Sequence, residues 1–435
     1  MRGVKIAGLA MVAVLAVLLL ALWAVLGSQA GSRWALGRVP GLSVENFRGH
    51  LGGQWSADHL LWQQDSSRVE LTAPTFDWSP ACLLRMTLCI DRLEVEQVSL
   101  QFPPGTDESS GPIQLPDLKL PVALQLGDVR VGSLLFNGSE QLKGLQLVAH
   151  WTAAGMRIDS VHLQRDGLVL DLAGFLLPTG DWRLSASGNL SLPYAPGGAP
   201  WQVALNIEGD LLKTLKLEAD SSGYLPAKLS GELQPLAENL PAQLHLTADG
   251  FKPSADLPDT LRLNQLDLTA KGNLKDGYQL LGKAVLPAEK GPVDLLLQGK
   301  VDAKGAQIAG LDLNAGEQQS LKLSAQLDWQ QGFSAEAKIA WLDFPWHRLY
   351  PVIDEPQVVL RTFNGEISYK DGNYLGNLNA DLDGPAGAFK VVTPFSGDLK
   401  QVFLPELKLT AGQGKAEGHL NLQFADGIAW DTALD

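Results

Sequence analysis

The sequence predicts a mostly β fold, in which one N-terminal transmembrane helix is followed by a long antiparallel β-sheet that curls into an apolar groove. Three features lead to this fold class. Residues 6–26 form an uncharged apolar run. From about Leu42 onward, apolar and polar residues alternate with the period of two that is typical of half-buried strands. The alternating segments are separated by five turn dipeptides, Asn137-Gly138, Asp166-Gly167, Asp276-Gly277, Asp371-Gly372 and Asp383-Gly384.

The overall composition restricts the function classes. The chain has 435 residues and a formal net charge of −14, so no basic surface for nucleic acid is expected. Contact with lipid is therefore expected through apolar side chains rather than through attraction of anionic headgroups. The 45 glycines and 25 prolines also argue against a plain helical globule.

The apolar run is long enough to cross a membrane. Its 21 residues reach about 30 Å as a helix, the thickness of the hydrocarbon core. Arg2 and Lys5 precede it, which predicts a cytoplasmic tail at residues 1–5 and an uncleaved signal-anchor. The alternative is a signal peptide cleaved after Ser28-Gln29-Ala30, although such apolar regions usually have only 7–15 residues. The residues assigned to the membrane anchor are Ile6, Leu9, Val12, Leu15, Leu18, Leu19, Leu22, Trp23 and Leu26.

The remaining chain is predicted to consist of a linker and one repetitive sheet. Residues 27–41 are assigned as the linker and residues 42–435 as the sheet. Within the sheet, residues 103–112 (PPGTDESSGP) are expected to form a flexible loop. Residues 344–353 (FPWHRLYPVI) have apolar residues at helical spacing, which predicts a short amphipathic helix on the sheet. A surface loop with two buried aromatic residues is the alternative.

A degenerate motif, small-x-Gly-x-Leu, recurs within the strands. It occurs as ASGNL, LSGEL, AKGNL and AEGHL, around Gly188, Gly231, Gly272 and Gly418. Glycine inside a strand marks a bend or a close approach of two backbones. Its recurrence predicts a sheet that curls in the same sense along its length.

Such a sheet must protect its apolar face. Helical sequence is too scarce to cover it, and the aromatic girdles of a membrane barrel are not evident. An open trough remains, with acyl chains of lipids as the ligand that fits it. The residues predicted to line this groove are Leu184, Leu190, Val203, Leu205, Ile207, Leu229, Leu244, Leu246, Leu266, Leu268, Leu274, Leu295, Leu297, Leu321, Leu323, Leu327, Leu420 and Leu422.

Two cysteines, Cys82 and Cys89, are the only ones in the chain. In an oxidising compartment they are expected to form a small disulfide loop between two strands. Two reduced cysteines, buried as small apolar residues, are the alternative.

Three segments resemble the TamB family. They are GSRWALGRVPGLSVENFRGHLGG (31–53), DWSPACLLRMTLCIDRLEV (77–95) and WLDFPWHRLYP (341–351), in this order behind a signal-anchor. TamB proteins are the inner-membrane subunits of the translocation and assembly module, within the AsmA-like group. The resemblance implies a curled β-groove of the β-taco type in the periplasm of a Gram-negative bacterium. It also implies phospholipid transport between the two membranes and partnership with a TamA-type outer-membrane barrel in protein assembly and secretion.

The resemblance covers only the N-terminal portion of that family. The C-terminal domain, through which the contact with TamA is expected, is not recognisable, and alternation continues to residues 427–435 (GIAWDTALD). The sequence is therefore expected to stop inside the repeat.

No catalytic residue, metal site or cofactor is expected. The seven histidines have no paired ligand spacing, and nucleotide-binding or nucleophile motifs are missing from the sequence. Two hypotheses follow for a protein that is not an enzyme. The first is a conduit for phospholipid acyl chains, and the second is a scaffold that offers strand edges to unfolded outer-membrane proteins without moving lipid.

Overall fold

The structure is a computed structural model, and it describes residues 24–64, 67–102, 115–193, 201–252, 254, 256–354, 356–424 and 429–435. These residues form 28 strands, which confirms the predicted mostly β fold. They divide into two compact units, with unit 1 ending at Leu215 and unit 2 beginning at Lys216.

The described residues of unit 1 include an α-helix, a 3-10 helix (Pro80–Arg85) and thirteen strands. The elements are α1 (Gln29–Leu36), β1 (Leu42–Glu45), β2 (Arg48–Gly49), β3 (Trp55–Ser56), β4 (His59–Gln64), β5 (Ser67–Thr72), β6 (Thr75–Ser79), β7 (Thr87–Gln101), β8 (Ala123–Phe136), β9 (Ser139–Thr152), β10 (Gly155–Arg165), β11 (Leu168–Leu176), β12 (Arg183–Leu192) and β13 (Trp201–Asp210).

Strand β7 organises the first part of unit 1. Its N-terminal half pairs with β6 and its C-terminal half with β5, so that two short strands share one edge. β3 joins β6, and β4 joins both β5 and β1. The other edge of β7 pairs with β8, and β8 to β13 then follow one another as antiparallel neighbours.

The pairing of β7 with β8 is parallel, which is an exception to the predicted antiparallel sheet. The connection between the two strands spans residues 102–122, and parallel strands need a connection of about a dozen residues or more. A short hairpin would have forced the antiparallel arrangement. The predicted flexible loop at residues 103–112 lies outside the described residues.

The described residues of unit 2 include fifteen strands, a short α-helix and a 3-10 helix (Asp259–Leu261). The elements are β14 (Leu215–Gly223), β15 (Ala227–Leu233), β16 (Ala242–Ala248), β17 (Asn264–Asn273), β18 (Gly277–Leu286), β19 (Val293–Val301), β20 (Gly305–Gly316), β21 (Gln319–Asp328), β22 (Ser334–Leu342), α2 (Trp346–Leu349), β23 (Val359–Lys370), β24 (Asn373–Gly384), β25 (Gly387–Gly397), β26 (Gln401–Ala411), β27 (Gly414–Gln423) and β28 (Ala429–Leu434). From β15 to β28 each strand pairs antiparallel with the next.

Three of the predicted turn dipeptides form two-residue hairpins. Asn137-Gly138, Asp166-Gly167 and Asp371-Gly372 have positive φ at both residues, between 48° and 84°, as a type I′ turn requires. Asp383-Gly384 is a correction, because both residues belong to β24 and the chain reverses at residues 385–386. Asp276-Gly277 closes a longer turn, in which Gly277 already begins β18.

The predicted linker, residues 27–41, is an ordered part of unit 1. It contains α1, whose Gln29 Nε2 and Arg33 side-chain nitrogen both donate to the backbone oxygen of Phe47, at 2.8 and 2.7 Å. Ser28 caps the helix by accepting a hydrogen bond from the amide of Gly31. These bonds hold the helix against the first strands.

The predicted membrane segment falls almost entirely outside the described residues, since only its last three residues, 24–26, are described. Within the described part of the chain, no helix has the length and apolar character to cross a membrane.

Candidate functional site

Alternate residues of unit 2 line up across the sheet in rows of directly paired positions. The first row crosses ten strands, from β15 to β24. Its members are Leu229, Leu246, Leu268, Gly282, Leu297, Leu311, Leu323, Ile339, Gly365 and Leu378. At about 4.8 Å between neighbouring strands, this row runs for about 43 Å without a polar side chain.

Two further rows flank the first one on the same face. One contains Gly231, Leu244, Ala270, Leu280, Gly299, Ile308, Ala325, Ala337, Ile367, Gly376 and Phe395. The other contains Ala284, Leu295, Leu313, Leu321, Trp341, Phe363, Ala380, Val391, Leu409 and Ala416. We call the surface made by the three rows the apolar face.

The apolar face is the sheltered side of the sheet. Leu295 and Leu297 point to it and are half-buried, whereas Leu296 between them points the other way and is 51% exposed. Leu280 and Leu281 differ in the same way. Because the same residue type is compared at adjacent positions, the difference reflects the shape of the sheet, which curves around the apolar face.

A β-bulge keeps the apolar face continuous in β20. Leu297 pairs with Leu311, and Gly299 pairs with Ile308, so Ala309 and Gly310 together stand opposite one residue of β19. The extra residue brings Ile308 and Leu311, three apart in sequence, onto one face. Counting alternate positions along the sequence places Ile308 on the wrong face, and it was not predicted.

The apolar face includes glycines, which have no side chain, and aromatic rings lie over two of them. A Cβ at Gly365 would lie 2.6 Å from Cζ of Phe363, and one at Gly376 would lie 2.7 Å from Cζ of Phe395. The rings therefore occupy the space that a side chain would take. Neither ring was predicted, because a phenylalanine at an alternate position gives no sign of which glycine it covers.

One part of the apolar face is covered by residues 343–350, here called the strap, which include α2. Phe344 and Leu349 of the strap are buried against Leu286 and Val293, and Val293 has no exposed surface. The short helix predicted in this segment is thus present, and it lies against the sheet. Leu321, a predicted groove residue, also packs against this cluster.

Hydrogen bonds from Thr260 and from Glu289 hold the strap in place. The Oγ1 of Thr260 donates to the backbone oxygen of Leu349 at 2.5 Å, and the amide of Glu289 donates to that of Arg348 at 3.1 Å. The ring of Trp341 meets that of Phe344 edge to face, with 5.3 Å between centroids. Among the described residues, those of the apolar face that pack against this cluster belong to one row, and the other two rows are not covered by it.

Unit 1 has an apolar face of the same construction. One of its rows contains Trp55, Phe76, Leu93, Val129, Leu147, Val161, Leu172, Gly188 and Leu205. A second contains Trp78, Ile90, Leu126, Ala149, Ile158, Gly174, Ala186 and Ile207. Phe76, Trp78 and Leu93 were predicted to alternate in strands, but no residue of β6 to β11 was among the predicted groove residues.

The predicted groove residues fall on strands with one exception. Leu184, Leu190, Val203, Leu205 and Ile207 lie on one face of β12 and β13 in unit 1. In unit 2, Leu229, Leu244, Leu246, Leu266, Leu268, Leu295, Leu297, Leu321, Leu323 and Leu327 share the face described above, and Leu420 and Leu422 pair with Leu404 and Val402.

Leu274 is the exception, and its assignment is corrected. Strand β17 ends at Asn273, whose Oδ1 accepts hydrogen bonds from the amides of Lys275 and Asp276, at 2.9 and 2.8 Å. This Asx turn begins before Leu274, which is therefore exposed in the turn.

Cys82 lies in the 3-10 helix and Cys89 lies in β7. The two residues are bonded, with their Cα atoms 5.9 Å apart. The bridge closes the turn between β6 and β7.

The opposite face carries charged pairs between neighbouring strands. Asp267 accepts a hydrogen bond from His245 at 3.0 Å and lies 3.6 Å from the ammonium of Lys283. The hydrogen bond from His245, together with the charge of Lys283, holds the pKa of the Asp267 carboxyl below its usual value. Lys338 and Glu366 pair at 2.8 Å in the same way. Such solvated pairs stabilise strand neighbours and do not form a reactive site.

Glu70 in unit 1 predicts a testable dependence of stability on pH. Hydrogen bonds from His59 and Arg68, at 2.7 and 2.8 Å, lower the pKa of its carboxyl. The ionised carboxylate therefore stabilises the fold above the ordinary pKa of 4.5, and this is lost as pH falls through the lowered value. Glu70→Gln should reduce the free energy of unfolding by up to about 1 kcal/mol at pH 7. Urea titrations of both proteins at pH 7 and pH 3 check this, since an equal difference at both values would contradict it.

In the part of the chain that the structure describes, no three His, Cys, Asp or Glu side chains are grouped so that they could hold a metal ion.

The family model described as "TamB, N-terminal domain" matches residues 18–112 and 106–353. The chain belongs to the TamB family. The TamB match includes the disulfide turn, the strap and the apolar face from β15 to β22. In general, TamB proteins are anchored in the inner membrane and have a TamA-type partner. No curated protein and no solved structure gave a match.

Proposed function

We propose that the chain carries phospholipid acyl chains along its apolar faces between the inner and outer membranes. In this proposal it is anchored in the inner membrane, has its bulk in the periplasm, and supports outer-membrane protein assembly and secretion with a TamA-type barrel. The observation that carries the proposal is the first row of the apolar face. It crosses ten strands, contains no polar side chain and is sheltered by curvature of the sheet.

Burial of hydrocarbon supplies the binding energy. Each CH₂ moved out of water gains about 0.8 kcal/mol, and this gain requires no polar contact. A hydrocarbon core of about 30 Å contains two leaflets, so one acyl chain extends for about 15 Å. The row of about 43 Å therefore offers several overlapping positions of nearly equal energy. A chain held in this way can move along the face in small steps.

The lining residues suit a mobile ligand. Leu268 and Leu297 fill the space above Gly282, where a Cβ would lie 3.1 Å from Cδ1 of Leu268 and 3.3 Å from Cβ of Leu297. Leucine side chains next to glycine make a surface with shallow relief, and none of them can form a directed bond. Selection among acyl chains is accordingly expected to be weak.

Photocrosslinking at adjacent leucines tests the proposal. A photoreactive amino acid at Leu297 should capture phospholipid in cells, whereas the same residue at Leu296 should not, since the two positions point to opposite faces. The pair is matched in residue type, strand and depth along the sheet. Leu205 against Ala204 and Leu268 against Asp267 repeat the comparison, and Gln298 is a second outward control for Leu297.

Equal phospholipid yields at Leu296 and Leu297 would contradict lipid carrying. Adducts with outer-membrane protein strands, and none with lipid, would instead favour a scaffold that assists insertion without transport. Mass spectrometry of the adducts separates these outcomes, because a crosslinked lipid adds far less mass than a crosslinked polypeptide.

A further inference from the structure

The disulfide turn of unit 1 presents apolar side chains to solvent. Leu84 in the 3-10 helix is 91% exposed, Met86 is 63% exposed, and Leu83 is also exposed. The bond between Cys82 and Cys89 closes this turn and limits its ability to fold the three side chains inward. Exposed apolar side chains clustered on one rigid turn indicate an interaction surface.

Hydrogen bonds connect this part of unit 1 to the end of the predicted membrane segment. The amide of Gly52 donates to the backbone oxygen of Leu26 at 2.7 Å. The amide of Leu51 donates to Oγ of Ser32 at 2.9 Å, and Nε1 of Trp78 donates to the backbone oxygen of Leu51 at 2.8 Å. The loop between β2 and β3 therefore joins Leu26 to the strand that leads into the turn.

The turn lies at the same end of the strands as this loop. Phe76 of β6 pairs antiparallel with Trp55 of β3, so β6 runs towards the loop that precedes β3. Leu84 follows Trp78 by six residues, which limits its distance from Trp78 to about 22 Å even for extended chain. The exposed turn is thus held close to the point where the predicted anchor ends.

The charge around the turn is compatible with a phospholipid surface. The chain as a whole has a net charge of −14, yet residues 79–90 contain Arg85 and no acidic residue. Residues 1–44 likewise contain four basic residues and no acidic one. Asp91, at the base of the turn, accepts a hydrogen bond from Oγ of Ser79. Within the turn itself Arg85 is the only charged side chain, so nothing between Ser79 and Ile90 is repelled by anionic headgroups.

We propose that the turn inserts Leu83, Leu84 and Met86 into the boundary between headgroups and acyl chains of the bilayer that holds the N-terminal segment. The inference rests on the inner-membrane anchoring given under Proposed function. Insertion adds a second attachment point beside the anchor, and the two points together fix the orientation of unit 1 at the bilayer. The apolar face of unit 1 then begins where lipids are available.

Crosslinking of the full chain in a bilayer tests the insertion. A benzoylphenylalanine is placed at Leu84 or at Leu399, in vesicles of phosphatidylethanolamine and phosphatidylglycerol. Leu399 is the matched control, because it is 87% exposed in the turn between β25 and β26 of unit 2. Leu84 should give at least roughly fivefold more phospholipid adduct than Leu399, since only an inserted side chain stays next to acyl chains.

Equal yields at Leu84 and Leu399, or adducts of Leu84 with polypeptide alone, would overturn the proposal. The same preparation with the probe at Leu297 separates this result from the fate of the proposed function. Lipid adducts at Leu297 without any at Leu84 would reject insertion and leave lipid carrying in place. Adducts at Leu84 without any at Leu297 would support insertion and contradict lipid carrying.

Discussion

Replacing Gly231 by alanine is expected to lower the free energy of unfolding of the sheet around β15 and β16 by about 2–3 kcal/mol. A Cβ at this position would lie 2.3 Å from the backbone oxygen of Gln243 and 2.9 Å from Cα of Leu244. Both atoms belong to the backbone of the paired strand, so the clash cannot be relieved by turning a side chain. The two strands must separate or lose part of their pairing.

Hydrogen exchange of the β15 and β16 amides, measured against urea, follows this loss in the full chain. Gly310→Ala is the matched control, because Gly310 is also a strand glycine of unit 2 and its Cβ would come no closer than 3.9 Å to Asp312. The control should be neutral or more stable by up to about 1 kcal/mol, since alanine reduces the freedom of the unfolded chain. Similar losses in both variants would mean that Gly231 has no role in the close approach.

The predicted repeat of glycines has the same explanation at other positions. At Gly188 a Cβ would lie 1.9 Å from the backbone oxygen of Asp171, and at Gly272 it would lie 2.1 Å from that of Gly277. Gly272 also has a φ of 155°, which few other residues adopt. The small-x-Gly-x-Leu motif was therefore a correct indication of close strand approach, although the sequence could not tell which neighbour is approached.

Strand existence and facing were predictable because they depend on local alternation. Leu205, Leu268 and Leu297 all occupy rows of apolar residues, as the period of two indicated. The direction of strand pairing was not predictable in this way, because parallel and antiparallel strands show the same alternation. The parallel contact of β7 with β8 depends on where a connection of about twenty residues returns, and its composition does not encode this.

Turn and bulge positions limited the remaining predictions. Asp371-Gly372 and Asp383-Gly384 are the same dipeptide, yet only the first forms a turn. After Asp383-Gly384 the chain reverses two residues later than predicted, at residues 385–386, and Gly387 has the positive φ, 110°. No residue of β20 was among the predicted groove residues, and for Ile308 the bulge at Ala309 would also have inverted an assignment by alternation from Leu311. The face on which such residues lie can therefore be assigned only when the strand register is known.

Phe344→Ala is expected to detach the strap from the apolar face. Phe344 is 4% exposed in the cluster with Val293 and Leu349, and removing a buried phenylalanine side chain costs about 3–5 kcal/mol. The strap contributes few other buried side chains, so the loss should act on it rather than on the whole unit. The amide of Glu289, which donates to the backbone oxygen of Arg348, should then exchange with solvent much faster than in the unmodified chain.

Detachment of the strap has a second consequence for the apolar face. Leu321 packs against the strap cluster, whereas Leu297 lies in the neighbouring row outside it. A small diazirine amino acid at Leu321 should therefore capture phospholipid weakly in the unmodified chain and strongly after Phe344→Ala, with little change at Leu297.

Phe333→Ala is the matched control, because Phe333 is half exposed before β22 and contacts only Tyr369 among aromatic rings of the described residues. It should cost about 1 kcal/mol and leave both yields unchanged. Strong capture at Leu321 with the strap in place would mean that acyl chains pass beneath it, and the strap would then not narrow the face.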